Sequence, residues 1–179
     1  VTTNLIVLAG EVRMSKNATM DNFVTSTINV PATQTLPFND AFNTSAPTQQ
    51  LSNDWQERQG NFTVAGDNAV GRAANNLATV SGVSLADSAV QANLNLNAGQ
   101  TAGLVARYQA NGAYYLAQLS NTGTTRTANL YKFVVGTGLV KLNAVAGTFA
   151  GTGGVVRFEV VGSSLKLFVN GSLVAFAFD

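Results

Sequence analysis

From Ala89 to the last residue, apolar and polar side chains alternate with a period of two, and no window repeats apolar positions at helical spacing over three turns. Val90, Ala92, Leu94 and Leu96 alternate with Gln91, Asn93, Asn95 and Asn97, the pattern of a strand with one dry and one wet face. Ala102 to Gln109 and Ala113 to Ser120 form two further runs. They are linked through Asn111-Gly112, a hairpin signal because a tight two-residue turn takes positive φ at both central positions. Ala128 to Val135 and Gly138 to Asn143 follow, then a Gly-rich bend from Gly151 to Gly154. The clearest ladder is the last, with Val155 to Val161, Ser164 to Val169 and Ser172 to Phe178 joined by Gly162-Ser163 and Asn170-Gly171. Alternation points Phe158, Val160, Leu165, Leu167, Val169, Leu173 and Val174 inward. The pattern predicts an all-β chain, an antiparallel β-sandwich with almost no helix, and Phe62 is expected in its core as well.

The first third has another texture. Thr25 to Pro37 is rich in Thr, holds Pro31 and Pro37, and reads as an extended connector. Asn43 to Asn53 is a polar loop that leads to the sole tryptophan, Trp55. The expected organisation is therefore a strand-bearing N-terminal segment with its connector over 1–36 and one sandwich over 37–179. Leu5 to Ala9 is an apolar stretch of strand length, too short for a membrane span. The chain opens on Val1 with no charged n-region and apolar h-region behind it, which reads as a processed or trimmed mature chain.

Composition narrows the chemistry. The 179 residues carry 46% apolar but only 11% charged side chains, with a net charge of +1 and no basic run, so nucleic acid is not an expected partner. With no cysteine and no histidine, disulfides, thiolate chemistry, histidine base catalysis and Cys/His zinc sites are excluded. A polar inventory of Asn, Thr, Ser, Gln and Gly in place of Lys and Glu points to an extracellular or cell-surface location, and no segment predicts membrane insertion.

Asp40-Ala41-Phe42-Asn43, Trp55, Gly60-Asn61-Phe62-Thr63-Val64, the run Gly103 to Tyr108, and Arg157 to Ala175 with its paired hairpins together resemble the concanavalin A-like lectin/glucanase jelly roll, also called laminin G-like, of bacterial secreted repeat proteins. In that family a glycine-led strand, a short loop and an Asp-Asn-Phe strand normally follow a stretch such as Leu173 to Asp179. Here the matching pieces, Gly10 to Met14 and Asp21 to Val24, stand at the start. The resemblance thus implies a domain out of phase: a fragment of a tandem array, an intramolecular permutation, or a subunit that lends its closing strand to a neighbour. The last option makes the protein its own partner, in a filament or repeat array joined by β-strand addition. Leu5, Ile6, Val7, Leu8, Val12, Met14, Phe23 and Val24 would be the contact residues. The alternative is a carbohydrate-binding, lectin-like module of a larger secreted protein, its sugar contacts at Trp55 and Tyr108.

Other candidate chemistry is sparse. Retaining glycosidases need two carboxyls about 5 Å apart, whereas the nearest acids here, Asp54 and Glu57, read as loop residues, and without histidine a serine nucleophile lacks its usual base. The expectation is a non-enzymatic protein. It takes no cofactor, or a structural calcium that the resemblance implies at Asp21 and Asp40; the competing reading has both carboxylates bonding backbone amides. Arg107 and Arg157 read as structural cations, paired with a carboxylate such as Glu159. Of Tyr114 and Tyr115, alternation turns one inward and one outward. Asn17, Asn43, Asn61 and Asn170 head glycosylation-type triplets, although Asn170 is also needed in its turn.

Overall fold

The computed structural model describes residues 34–43, 49–143 and 145–179. Among them there are thirteen strands and no helix. The first four form two ribbons: β1 (Trp55–Gln59) pairs with β4 (Leu77–Val80), and β2 (Phe62–Val64) with β3 (Ala69–Gly71), all antiparallel. The rest build a two-layer sandwich. One layer runs β13 (Ser172–Phe178), β12 (Ser164–Val169), β11 (Gly153–Val161), β5 (Ser88–Asn95). In the other, β8 (Arg126–Val134) lies between β7 (Tyr114–Asn121), which continues to β6 (Gln100–Ala106), and the short edge strands β9 (Gly138–Lys141) and β10 (Gly147–Thr148).

The dry faces of both layers meet in one core. Leu104, Ala117, Leu119, Ala128 and Leu130 of one sheet pack with Val156, Phe158, Val160, Leu165 and Leu167 of the other. The cross-strand register explains the layering: Phe158 faces Leu167 on one side and Val90 on the other, so a single row of inward side chains crosses the sheet. Five of the seven side chains that alternation turned inward in the last ladder are buried: Phe158, Val160, Leu165, Leu167 and Val169.

Local geometry departs from simple alternation in four places. Leu173 is half exposed because the β12–β13 register shifts beside Leu167, a bulge that moves the inward parity of β13 to Ala175 and Ala177 and leaves Val174 half-buried. Phe62 is half-buried in the β2–β3 ribbon and stands outside the sandwich core, because that ribbon pairs with no strand of the larger sheets. The strand expected to reach Gln109 stops at Ala106, where Arg107 turns to a φ of 51°. As a result the Asn111-Gly112 connection is a wider loop in which Gly112 has positive φ and Asn111 does not. Glu57, read as a loop residue, lies in β1 and accepts the Phe62 N–H. The Asn170-Gly171 turn has the expected geometry, with φ of 50° and 81°.

Candidate functional site

The solvent-facing side of β13 carries three large exposed apolar side chains, with Lys166 of β12 opposite Phe176. Along β13 the small residues Ala175 and Ala177 point into the core, while Phe176 and Phe178 point to solvent with 60% and 71% of their surface exposed. Their rings meet edge to face at 6.3 Å. Leu173, 50% exposed, extends the stripe, and its register partner Phe168 is half-buried beside it. Among the described residues β13 is paired on one flank, by β12. At its Val174 end, Gly147 of β10 packs so close that a Cβ there would lie 1.9 Å from the Val174 carbonyl oxygen. Beside that contact a cleft of about 230 Å³ opens between the sheets, lined in part by Phe149, Val169, Asn170 and Val174. The opposite edge, β5, turns Ala89, Gln91, Asn93 and Asn95 outward and is polar.

A second cluster stands on the outer face of the other sheet. Tyr108 stacks with Tyr114 at 6.0 Å, Tyr114 stacks on Phe133 at 4.9 Å, and the Arg58 guanidinium covers Tyr108 at 4.7 Å from the ring centre. Tyr108 thus has Arg58 and Tyr114 as ring neighbours. Burial raises the Tyr114 phenol above its ordinary range, with Tyr108 adding to the effect. Trp55 is likewise engaged: its indole N–H donates to Asp40 Oδ2 at 2.7 Å, and Phe38 and Phe42 pack against its ring at 5.7 and 5.8 Å. The two residues expected to touch sugar are therefore each in contact with their own neighbours, and they lie in separate clusters.

Asp40 accepts the Phe42 N–H at 2.8 Å on its other oxygen, so both of its oxygens receive N–H donors. Asp21 lies outside the described residues, and no group of three or more His, Cys, Asp or Glu side chains suited to a metal occurs among the described ones. Asp54 accepts from Gln34 and Ser52, and Glu57 from the backbone at Phe62. The contact residues Leu5, Ile6, Val7, Leu8, Val12, Met14, Phe23 and Val24 also lie outside the described residues.

The charged groups act as ties between elements. Arg107 donates to the Ala86 carbonyl, to Asp87 at 3.1 Å and to the Gly162 carbonyl at 2.6 Å, while Asp87 accepts the Gly162 N–H at 2.9 Å. Asp179 accepts from both Lys132 and Tyr115 at 2.5 Å and so binds the end of β13 to the opposite sheet. Arg157 pairs with Glu159 at 2.7 Å on the outer face, the structural role read for it from sequence. Of Tyr114 and Tyr115, the former faces outward in the stack and the latter reaches the Asp179 carboxylate.

The exposed aromatics of β13 were missed in the sequence reading, although the alternation of Ala175, Phe176, Ala177 and Phe178 carried the signal: small residues inside, large ones outside. No family model, no curated protein and no solved structure matches the chain.

Proposed function

We propose that this chain is a non-enzymatic, extracellular structural subunit that joins its neighbours by β-strand addition, with Leu5 to Val24 as the donor and the free flank of β13 as the acceptor. The observation that carries the reading is β13 itself, an edge strand among the described residues, with Leu173, Phe176 and Phe178 exposed along it. An apolar, unpaired edge is a liability for an isolated molecule and a template for a partner strand. The donor matches it in kind, since Leu5 to Leu8, Val12, Met14, Phe23 and Val24 are apolar in strand-length runs. About six buried side chains at roughly 1.5–3 kcal/mol each would hold such a joint after the costs of association. The resemblance to the concanavalin A-like jelly roll supports the same reading, because it leaves the closing strand at the start of the chain.

The test is deletion of residues 1–24 together with the substitution Phe176→Lys. Strand addition predicts that the intact chain associates, that the deletion variant is a monomer which takes up the missing segment as a synthetic peptide, and that Phe176→Lys blocks uptake without lowering the monomer's melting temperature. A deletion variant with unchanged melting and no affinity for the peptide overturns the proposal.

A further inference from the structure

Two Asn-Gly pairs occur in strand connections, and the structure treats them differently. Asn170 is locked on three sides. Its backbone N–H donates to the Val155 carbonyl at 2.8 Å, its Oδ1 accepts the Val155 N–H at 3.0 Å, and its Nδ2 donates to the Gly153 carbonyl at 3.3 Å. The side chain also fills the space over Gly154, where an added Cβ would fall 2.2 Å from Asn170 Oδ1. Asn111 is exposed, as Asn170 is, but one side-chain bond alone holds it: Oδ1 accepts the Ala113 N–H at 3.0 Å.

From this contrast we infer that Asn111 is a site of spontaneous deamidation in the folded protein, and that Asn170, with the same glycine after it, is protected. The backbone nitrogen of Gly112 attacks Cγ of Asn111, its proton leaves with the side-chain nitrogen as ammonia, and a cyclic imide forms. Water then opens the imide at either carbonyl to give aspartate or isoaspartate. Glycine permits the step because no Cβ hinders its nitrogen and its φ is free to change. The Ala113 N–H draws electron density from the carbonyl under attack, and the Asn111 nitrogen has no bond to break before it departs. The ring closure does sacrifice the Gly112 N–H bond to the Gln109 carbonyl, one contact in an exposed loop. At Asn170 the same closure must break both side-chain bonds that tie the β12–β13 turn to β11.

The product alters the loop that rests beside the aromatic stack, since a Cβ at Gly112 would lie 3.9 Å from the Tyr108 hydroxyl. It also cancels the net charge of +1. An isoaspartyl linkage adds a methylene to the backbone and so disrupts the bond from the Gln109 N–H to the Ala113 carbonyl.

The experiment is storage of the whole chain in mildly alkaline buffer, folded and in denaturant, with peptide mapping by mass spectrometry at both sites over time. In denaturant the two sites are expected to convert at similar rates, because the residue after each is glycine. In the folded chain, Asn111 keeps most of that rate and Asn170 slows by about tenfold or more, the scale set by two modest hydrogen bonds. Equal folded rates at the two positions, or conversion of Asn111 that stops on folding, overturns the inference.

Discussion

Asp179 shows how a single side chain fastens the sandwich: one carboxylate on the end of β13 receives Lys132 from β8 and Tyr115 from β7. The Lys132 ammonium, then the Tyr115 hydroxyl, hold its carboxyl below the ordinary aspartate range. Asp87 is held low in the same sense, first by the Gly162 N–H and then by Arg107. A carboxyl depressed in the folded state contributes stability above its unfolded value, about 3.9, and loses that contribution as the pH falls through the folded value. Stability should therefore be level on this account above about pH 5 and decline below about pH 4. Asp179→Asn should flatten part of that decline, and melting curves over an acid series check it; identical acid slopes for the two proteins would sink the assignment. Gly147 offers a steric counterpart. An alanine Cβ there meets the Val174 backbone oxygen at 1.9 Å, and backbone cannot swing aside. Gly147→Ala should cost about 1–3 kcal/mol, the usual range for overpacking, measured by chemical denaturation.

At the scale of the strand, a bulge decides which residues of β13 are core and which are surface. Leu173 and Leu167 are the same residue type, yet one is 50% exposed and the other fully buried. Leu167→Ala should cost about 2–5 kcal/mol by leaving a cavity. Leu173→Ala should stay within about 0.5 kcal/mol, and parity of the two values in urea titrations would contradict the register described here. The same bulge marks the limit of what the chain discloses. Strict alternation located β5, β11 and β12 and their inward residues, because those strands pair without slippage over most of their length. It misplaced Leu173 because a register shift depends on the partner strand, which local sequence does not encode. For similar reasons the Asp40–Trp55 bond, between residues fifteen apart, and the Arg58–Tyr108–Tyr114 stack, between separate sheets, leave no periodic trace. Turn chemistry was more legible where both residues of the turn needed it, at Asn170-Gly171, than at Asn111-Gly112, where the unusual φ of Arg107 widens the loop.

For the whole molecule, the distribution of the core matters more than the number of strands. Every residue of the main buried cluster lies between Leu96 and Ala177, and the partly buried side chains packed on it begin at Val90. Neither two-stranded sheet, β1–β4 or β2–β3, pairs with a sandwich strand. The sandwich also keeps its own fasteners, because Asp87 binds Arg107 and Gly162, and Asp179 binds Lys132 and Tyr115, all within 84–179. The fragment 84–179 should thus fold alone, with a β-type circular dichroism spectrum and a single cooperative transition. Among the described residues, the contact it gives up is the Arg58 cover over Tyr108, worth about 0.5–1 kcal/mol at an exposed site. At roughly 4–8 °C of melting temperature per kcal/mol for a domain of about 60–100 residues, the shift should be about 2–8 °C. Such a fragment has the β13 edge but no donor segment, so it should remain monomeric by itself and still capture the peptide 1–24. A disordered fragment would show that residues before 84 complete the fold; a folded one that ignores the peptide would leave the sandwich intact and remove β13 as the acceptor.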